Sequence, residues 1–250
     1  MVQSCKVIIQ ARSGSTRLPR KVLLPFHNKK SILQIELEKI LKICPPEQIV
    51  VATTTAEADD LIVEVAQKAG VLHFRGDEQN VLQRFIDCAE YFNLTHMIRI
   101  CSDNVFIDVQ RIQQLINLAN NDVEYASFLV NGKPAILTHT GIWCELVSTS
   151  ALKRVNELTS EQLFREHVTN YIYTHADKFK IKWIPVVDEK YRGVRLTIDT
   201  RADFEVQQEI FSKLFKKHGL HLNTNDIFEF LNLNPSMLQS MEQQIKENEK

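Results

Sequence analysis

The chain has 250 residues, of which 44% are hydrophobic and 24% charged, the balance of a folded globular protein. Its net charge of −1 gives no electrostatic reason to expect a nucleic-acid or membrane partner. No stretch approaches the roughly 20 apolar residues of a membrane helix, and the apolar run at 7–9 is too short for a signal peptide. The five cysteines are scattered and form no C-x-x-C pair, which favours reduced thiols. We therefore expect a soluble, cytoplasmic protein.

Strand-like and helix-like segments alternate through the first half of the chain. Strands are predicted at 6–10, 49–53, 71–74 and 97–100, and helices at 31–44, 58–69, 78–92 and 108–118. Ser31 with Gln34 fits a capping box, Gly70 ends the second helix, and Asp108 is placed to cap the fourth. This order predicts an α/β fold with a mainly parallel sheet flanked by helices on both faces. In such sheets, ligands bind beyond the carboxyl ends of the strands.

The second half of the chain is more mixed. Strands are predicted at 125–129, 142–147, 179–187 and 195–198, and helices at 148–158, 160–175 and from 200 to about 217. Thr200 with Asp203 fits a second capping box. After Gly219 we expect a short helical segment and a polar, peripheral tail at 236–250. The chain is thus divided into a main domain of residues 1–219 and a helical extension of residues 220–250.

The loop after the first strand is the most informative stretch. Residues 11–30 include six basic residues and no acidic one. Residues small enough to let backbone N–H groups approach a phosphate are Ser13, Gly14 and Ser15. The side chains that would supply positive charge are Arg12, Arg17 and Lys21. A solvated basic loop is the alternative, and the P-loop pattern is absent, but the strand-loop-helix context favours phosphate binding.

The segment VIIQARSGSTRLPRKVLLPF resembles the N-terminal signature of the CMP-sugar synthetase group of cytidylyltransferases. That group includes the acylneuraminate and 3-deoxy-manno-octulosonate (KDO) cytidylyltransferases, and the SpsF-like spore-coat polysaccharide branch is the most similar. The likeness spans about residues 5–215 and continues in the family's order through IVVATTT, FRGDEQNVLQRF, IRICSDNVFID, REHVTNYI and RLTIDTRADFE. It implies a GT-A-like fold, the fold of nucleotide-diphospho-sugar transferases. It also implies transfer of CMP from CTP to a sugar or sugar acid, for surface polysaccharide or glycoconjugate biosynthesis.

The resemblance also assigns residues to the nucleotide and the metal. The nucleotide-binding set that it implies is Ala11, Arg12, Ser13, Gly14, Ser15, Arg17, Lys21, Arg75 and Asp103. Arg12, Lys21 and Asp103 are expected to be catalytic, by stabilising charge on the phosphates. Asp103 and Asp199 correspond to the family's Mg²⁺ positions, which suits a cation held by carboxylates and phosphate oxygens. From spacing alone, each aspartate could equally be a turn or capping residue.

Weaker candidates lie on the side where the second substrate would bind. Glu145 corresponds to an acidic residue common in the SpsF-like branch, and either binds the sugar or ends a strand. Arg165, Glu166 and His167 are either an acceptor-side cluster, with Arg165 binding substrate, or one face of a helix. We favour a structural role for His167.

Two departures from the family's pattern concern substrate choice. Ser102-Asp103-Asn104-Val105 stands where relatives often have G-D-C-P, and Arg20 stands where glycine is common. One alternative function is a GT-A glycosyltransferase, although the usual D-x-D motif is missing. Another is a non-catalytic nucleotide-binding homologue. The general base and the acceptor are not identified by the sequence, and a homodimer is left open.

Overall fold

A central sheet with helices on both faces organises the chain, of which the computed structural model describes residues 4–247. The strands are β1 (Cys5–Gln10), β2 (Pro25–His27), β3 (Lys30–Ser31), β4 (Ile49–Thr54), β5 (Leu72–Gly76), β6 (His96–Cys101), β7 (Tyr125–Val130), β8 (Lys133–Pro134), β9 (Glu145–Ser148) and β10 (Ile181–Val186). The helices are α1 (Ile32–Ile40), α2 (Asp60–Lys68), α3 (Val81–Tyr91), α4 (Val109–Ile116), α5 (Thr149–Leu158), α6 (Gln162–Glu166), α7 (Asn170–Thr174), α8 (Arg201–His218), α9 (Thr224–Asn232) and α10 (Pro235–Glu247).

The sheet is mixed but mostly parallel, as the sequence predicts. Its strands follow the order β10-β7-β9-β6-β1-β4-β5, and β8 pairs with β7. β1 lies between β6 and β4, and both neighbours run parallel to it. β9 is inserted between β6 and β7 and runs antiparallel to both, and the short β8 is antiparallel to β7. The carboxyl ends of β1, β4 and β6 therefore lie at one edge, where the loops that follow them meet.

Two hydrophobic clusters cover the two faces of the sheet. One joins α1, α2, α4 and α8 to the face that bears Val7 and Ile9, and the other joins α3 and α5 to the face that bears Ile8. This alternation follows from the period of two along a strand. The predicted capping boxes at Ser31 and Thr200 are both confirmed. All five cysteines are free thiols, also as predicted.

Three predicted elements differ from the structure. The helix predicted at 160–175 is two short helices, α6 and α7. The break falls where the buried Thr169 hydroxyl donates to Glu145 Oε1 over 2.9 Å instead of continuing a helix. The strand predicted at 195–198 does not form, because its Leu196 and Thr197 N–H groups both donate to the carbonyl of His139 in an irregular segment. The strand predicted at 142–147 begins only at Glu145.

The C-terminal helices belong to the same core as the sheet. Ile227, Phe228 and Leu231 of α9 and Met241 of α10 are buried in the cluster that contains α1 and α8. α10 is helical and buries only Met241, which agrees with the peripheral tail expected from the sequence, while residues 248–250 lie outside the described residues. The domain boundary at residue 219 stays a prediction. Within residues 4–247, no helix combines the length and apolarity needed to span a membrane.

Candidate active site

A cleft of about 380 Å³ opens at the carboxyl ends of β1 and β6. Its lining comes from the loop after β1, the loop after β6, the end of α6 and the segment before α8. The lining residues are Gln10, Arg12, Gly14, Ser15, Thr16, Arg17, Lys21, Val22, Cys101, Ser102, Asp103, Glu166 and Asp199. The volume is within the usual range for small-molecule sites.

A buried aspartate fixes the start of the basic loop. The Ser13 N–H donates to Asp59 Oδ1 over 2.7 Å, and the hydroxyls of Thr53 and Thr54 donate to Asp59 Oδ2 over 2.9 and 2.6 Å. Burial alone would raise the pKa of Asp59, but these hydrogen bonds outweigh it and lower the pKa. The Ser13 amide is thus committed to Asp59 and turned away from the cleft, which Arg12 and Gly14 line on either side of it.

Lys21 joins the two aspartates that the sequence assigns to metal. Its Nζ lies 2.9 Å from Asp103 Oδ2 and 3.4 Å from Asp199 Oδ1, and it donates to the Ile198 carbonyl over 2.6 Å. Burial by itself would lower the pKa of Lys21, but the two carboxylates outweigh it and the pKa is raised. Lys21 is therefore charged at neutral pH, and two carboxylates distant in sequence converge on one cation.

Asp199 is held in place from both sides. Its Oδ1 lies 3.2 Å from an Arg17 guanidinium nitrogen, and its Oδ2 accepts from Arg195 over 3.2 Å. Arg195 also donates to both carboxylate oxygens of Asp203 over 2.7 and 2.9 Å. The Asp203 carboxylate in turn accepts from the Asp199 N–H over 3.0 Å. The buried ion pair of Arg195 with Asp203, which has two hydrogen bonds, therefore orients Asp199 before any ligand binds.

The residues present fit a divalent cation of the kind that nucleoside triphosphates bring with them. Asp103 and Asp199 already share one cation, the Lys21 ammonium, and carboxylate oxygens are the ligands that Mg²⁺ prefers. In the described part of the chain, no group of three or more His, Cys, Asp or Glu side chains could hold a metal by itself. The remaining arrangement for a metal ion is two carboxylate ligands from the protein, with phosphate oxygens of the nucleotide as further ligands.

The side of the cleft formed by Arg12 and Glu166 carries both a positive and a negative charge. Arg12 Nη2 lies 3.7 Å from Glu166 Oε1, and both side chains are partly exposed. Gln10 ends β1 on the floor of the cleft, opposite Cys101 in the register of β1 and β6. Glu166 and Gln10 thus lie in the same cleft as the basic loop, which the sequence alone did not establish.

The structure brings together most of the residues predicted for the site. The predicted residues that line the cleft are Arg12, Gly14, Ser15, Arg17, Lys21, Asp103 and Asp199. Ala11 and Ser13 are buried behind the lining. The binding roles of all the predicted site residues stay predictions.

Besides Ala11 and Ser13, three predicted residues lie outside the cleft lining, namely Arg75, Arg165 and Glu145. Arg75 donates to the carbonyls of Thr54 and Ala56 and to Asp60, and so holds the loop between β4 and α2. Arg165 bonds weakly to its own helix region, at 3.3 Å from the Ser160 carbonyl, whereas its neighbour Glu166 faces the cleft. Because the sequence predicts one long helix at 160–175 and not the end of α6, it does not indicate which of these two neighbouring residues faces the cleft.

Glu145 is buried beneath the cleft and does not line it. Its carboxylate accepts from Arg99 over 2.6 Å, from the Tyr125 hydroxyl over 2.6 Å and from Thr169 over 2.9 Å. Both oxygens are therefore engaged by protein donors, and the side chain is 2% exposed. These contacts support the structural alternative that the sequence left open for Glu145.

Arg20 has a left-handed backbone, with φ 57° and ψ 24°. A non-glycine residue pays roughly 1–2 kcal/mol for this conformation, and glycine loses about 0.4–1 kcal/mol through its freer unfolded chain. We expect Arg20→Gly to leave the free energy of unfolding unchanged or raise it by up to about 1 kcal/mol. Kinetic constants should not change, since Arg20 does not line the cleft.

The matched control for this substitution is Arg192→Gly, on an exposed arginine with φ −71°. This control should lower the free energy of unfolding by about 0.5–1 kcal/mol, measured by denaturant unfolding. Equal destabilisation by both substitutions would contradict the strain assigned to Arg20.

Comparison with known proteins gives the family. A protein-family model described as cytidylyltransferase matches residues 6–245, nearly the whole chain. The chain belongs to the cytidylyltransferase family. It is therefore a nucleotidyltransferase whose reaction class is cytidylyl transfer from CTP, and the resemblance found in the sequence motifs is confirmed. The basic loop, Asp103 and Asp199 all lie within the matched residues.

Individual relatives of this cytidylyltransferase agree with the family assignment. The spore coat polysaccharide biosynthesis protein SpsF of Bacillus subtilis is 30% identical over 235 residues, which cover 91% of this chain and 94% of SpsF. A solved cytidylyltransferase from Leptospira borgpetersenii has a TM-score of 0.83 at 29% identity, covering 95% of this chain and 97% of that one. A CMP:2-keto-3-deoxy-manno-octonic acid synthetase, solved in complex with CTP, shares the fold with a TM-score of 0.64 at 16% identity, covering 85% of this chain and all of that one.

Proposed function

We propose that this cytidylyltransferase transfers CMP from CTP, with Mg²⁺, to a sugar or sugar acid and releases pyrophosphate, in the biosynthesis of a surface polysaccharide or glycoconjugate. The observation that carries the proposal is that the carboxylates of Asp103 and Asp199 both contact the Lys21 ammonium of the basic loop. The names of two similar proteins support a sugar or sugar acid as the acceptor. SpsF is a spore coat polysaccharide biosynthesis protein, and the KDO relative is a CMP-sugar acid synthetase.

The reaction is a displacement at the α-phosphorus. A hydroxyl oxygen of the acceptor forms a bond to that phosphorus, and the bond to the pyrophosphate oxygen breaks. No covalent intermediate with the protein is needed, so catalysis consists of positioning and of neutralising charge. A bound Mg²⁺ would supply Lewis-acid stabilisation of the phosphate oxygens.

The chain's own side chains divide this work by position. Lys21 is buried between the two aspartates and delivers a fixed positive charge to the phosphates. Arg17, which is about half exposed, can reach the outer phosphates from the rim of the cleft. Arg12 lies on the opposite side beside Glu166, where the α-phosphate and the acceptor would meet.

The nucleotide preference can be measured without knowing the acceptor. We expect CTP with Mg²⁺ to raise the melting temperature more than ATP with Mg²⁺, because a ligand that binds only the folded state stabilises it in proportion to its affinity. UTP and GTP with Mg²⁺ complete the comparison, and CTP with EDTA tests the metal. Equal shifts for all four triphosphates would contradict a cytidylyltransferase.

The acceptor requires a matrix assay. Each of the four triphosphates is combined with sialic, legionaminic and pseudaminic acids, KDO and phosphorylated sugars, and pyrophosphate release is measured. A glycosyltransferase assay runs alongside, with nucleotide-diphosphate sugars as donors. Pyrophosphate release that requires both CTP and a sugar supports the proposal, and sugar transfer without pyrophosphate release contradicts it.

A further inference from the structure

A buried hydrogen-bond network ends at Gln10 on the floor of the cleft. Arg99 of β6 donates through Nη2 to Gln10 Oε1 over 3.1 Å, and through Nη1 to Glu145 Oε2 over 2.6 Å. Arg99 is 7% exposed and Glu145 is 1% exposed. The network therefore lies inside the protein, and only Gln10 reaches the cleft.

The chemistry of arginine fixes the orientation of the Gln10 amide. A guanidinium carries only donors, so the amide oxygen must face Arg99, and the NH₂ end is turned away from it. Gln10 also lines the cleft, so this NH₂ end lies on the side from which a ligand can approach. Gln10 thus has two N–H donors at the floor of the cleft.

The same network holds the opposite wall of the cleft. Glu145 also accepts from Thr169, which lies in the connection between α6 and α7, three residues after Glu166. Glu166 lines the cleft and lies near Arg12. A single buried carboxylate therefore ties the floor at Gln10 to the segment that positions Glu166.

The charges indicate which substrate meets Gln10. The triphosphate needs cations, and Arg17 and Lys21 supply them beside Asp103 and Asp199. Glu166 offsets the charge of Arg12, so this side of the cleft is less suited to the triphosphate tail, whereas a sugar hydroxyl can donate to a carboxylate and a sugar oxygen can accept from an amide. A neutral donor and a carboxylate in one cleft suit the polyhydroxyl acceptor.

We propose that Gln10 is a specificity-determining residue that donates its amide N–H groups to an oxygen of the sugar or sugar acid, with Arg99 and Glu145 as its positioning residues. This inference rests on the proposed function, because it concerns the acceptor of that reaction. It also gives Glu145 a role in acceptor recognition that does not require contact with the sugar.

The decisive variant is Gln10→Glu, which keeps the shape and the oxygen that accepts from Arg99 but removes both donors. We expect kcat/KM for the acceptor to fall about 10- to 100-fold, since a lost hydrogen bond and an unpaired polar group cost roughly 1–3 kcal/mol. The apparent KM for CTP should rise less than KM for the acceptor, because the introduced carboxylate remains beside the Arg99 guanidinium. Gln110→Glu, on an exposed glutamine in the first turn of α4, is the matched control and should change neither constant.

The positioning role is tested by Glu145→Gln and by the double variant. Glu145→Gln should raise KM for the acceptor more than it lowers kcat, with KM for CTP unchanged. If Glu145 acts through Gln10, the double variant should be no worse than Gln10→Glu alone, whereas independent roles would make the effects multiply. Because Gln10→Glu keeps an oxygen that accepts from Arg99, it decides the proposal even if Glu145→Gln does not fold.

The outcomes separate this inference from the proposed function. If the unaltered protein uses a sugar acceptor and Gln10→Glu keeps its KM and kcat, the role of Gln10 is wrong and the proposed function stands. A rise only in KM for CTP would assign Gln10 to the nucleotide and overturn the inference. If the unaltered protein transfers CMP to no sugar, the proposed acceptor class fails, and the role of Gln10 fails with it.

Discussion

Asp103→Asn is expected to lower kcat by about a thousandfold or more while the protein stays folded. Asparagine keeps the shape of the side chain and an oxygen that can accept from Lys21, but it removes one of the two negative charges that converge there. The side chain is partly exposed, so little buried structure depends on its charge. Steady-state kinetics at several Mg²⁺ concentrations measure the effect, which should include a higher Mg²⁺ requirement.

The control for this prediction is Asp122→Asn, at an exposed loop position far along the chain from the cleft residues. It should leave kcat and the Mg²⁺ requirement unchanged, and thermal unfolding should show that both variants are folded. Full activity of Asp103→Asn at the same Mg²⁺ concentration would remove Asp103 from the site.

Lys21→Ala and Arg17→Ala are expected to affect different kinetic constants. Lys21 is 13% exposed and fixed by three oxygen contacts, so its charge is already in place when charge develops on the phosphates. Its loss should lower kcat by roughly two orders of magnitude or more, as for other preorganised charge stabilisers. Arg17 is 49% exposed and makes its ion pair with Asp199 at the rim, so it should act on the bound triphosphate in the ground state. Arg17→Ala should therefore raise KM for CTP more than it lowers kcat.

Lys68→Ala, on an exposed lysine near the end of α2, is the control for a lost surface charge and should change neither constant. A nearly silent Lys21→Ala, or a larger kcat effect from Arg17→Ala, would show that the two roles are assigned in the wrong order. The assignment of the whole basic loop by family position would then fail as well.

The positions of the basic loop and of Asp103 in the fold could be predicted because their signals are local. A basic, acid-free loop directly after a buried strand must lie at the ligand edge of a parallel sheet, and an aspartate after another parallel strand must lie at the same edge. The sequence motifs were also specific enough to identify the cytidylyltransferase family, which the family model confirms. Capping boxes at Ser31 and Thr200 were predicted for the same reason, since all their contacts lie within three residues.

Contacts between segments that are distant in sequence decided which other side chains reach the cleft. The convergence of Asp103 and Asp199 on Lys21 depends on an irregular segment at 195–198 that carries Asp199 to the cleft, where periodicity predicted a strand. The end of α6 puts Glu166 rather than Arg165 in the cleft, because Thr169 bonds to Glu145 across the fold and breaks the predicted helix.

The sequence by itself therefore determined the mainly parallel sheet, the family and the position of the basic loop, because short-range patterns and their order along the chain encode all three. Only the tertiary structure decided which side chains share the cleft and which lie beneath it. Glu145 has the same local pattern whether it binds a sugar or a buried arginine, and its three partners come from three other segments, at Arg99, Tyr125 and Thr169. Such hydrogen bonds form only once packing excludes water from the donors and the acceptor, and no local pattern encodes them.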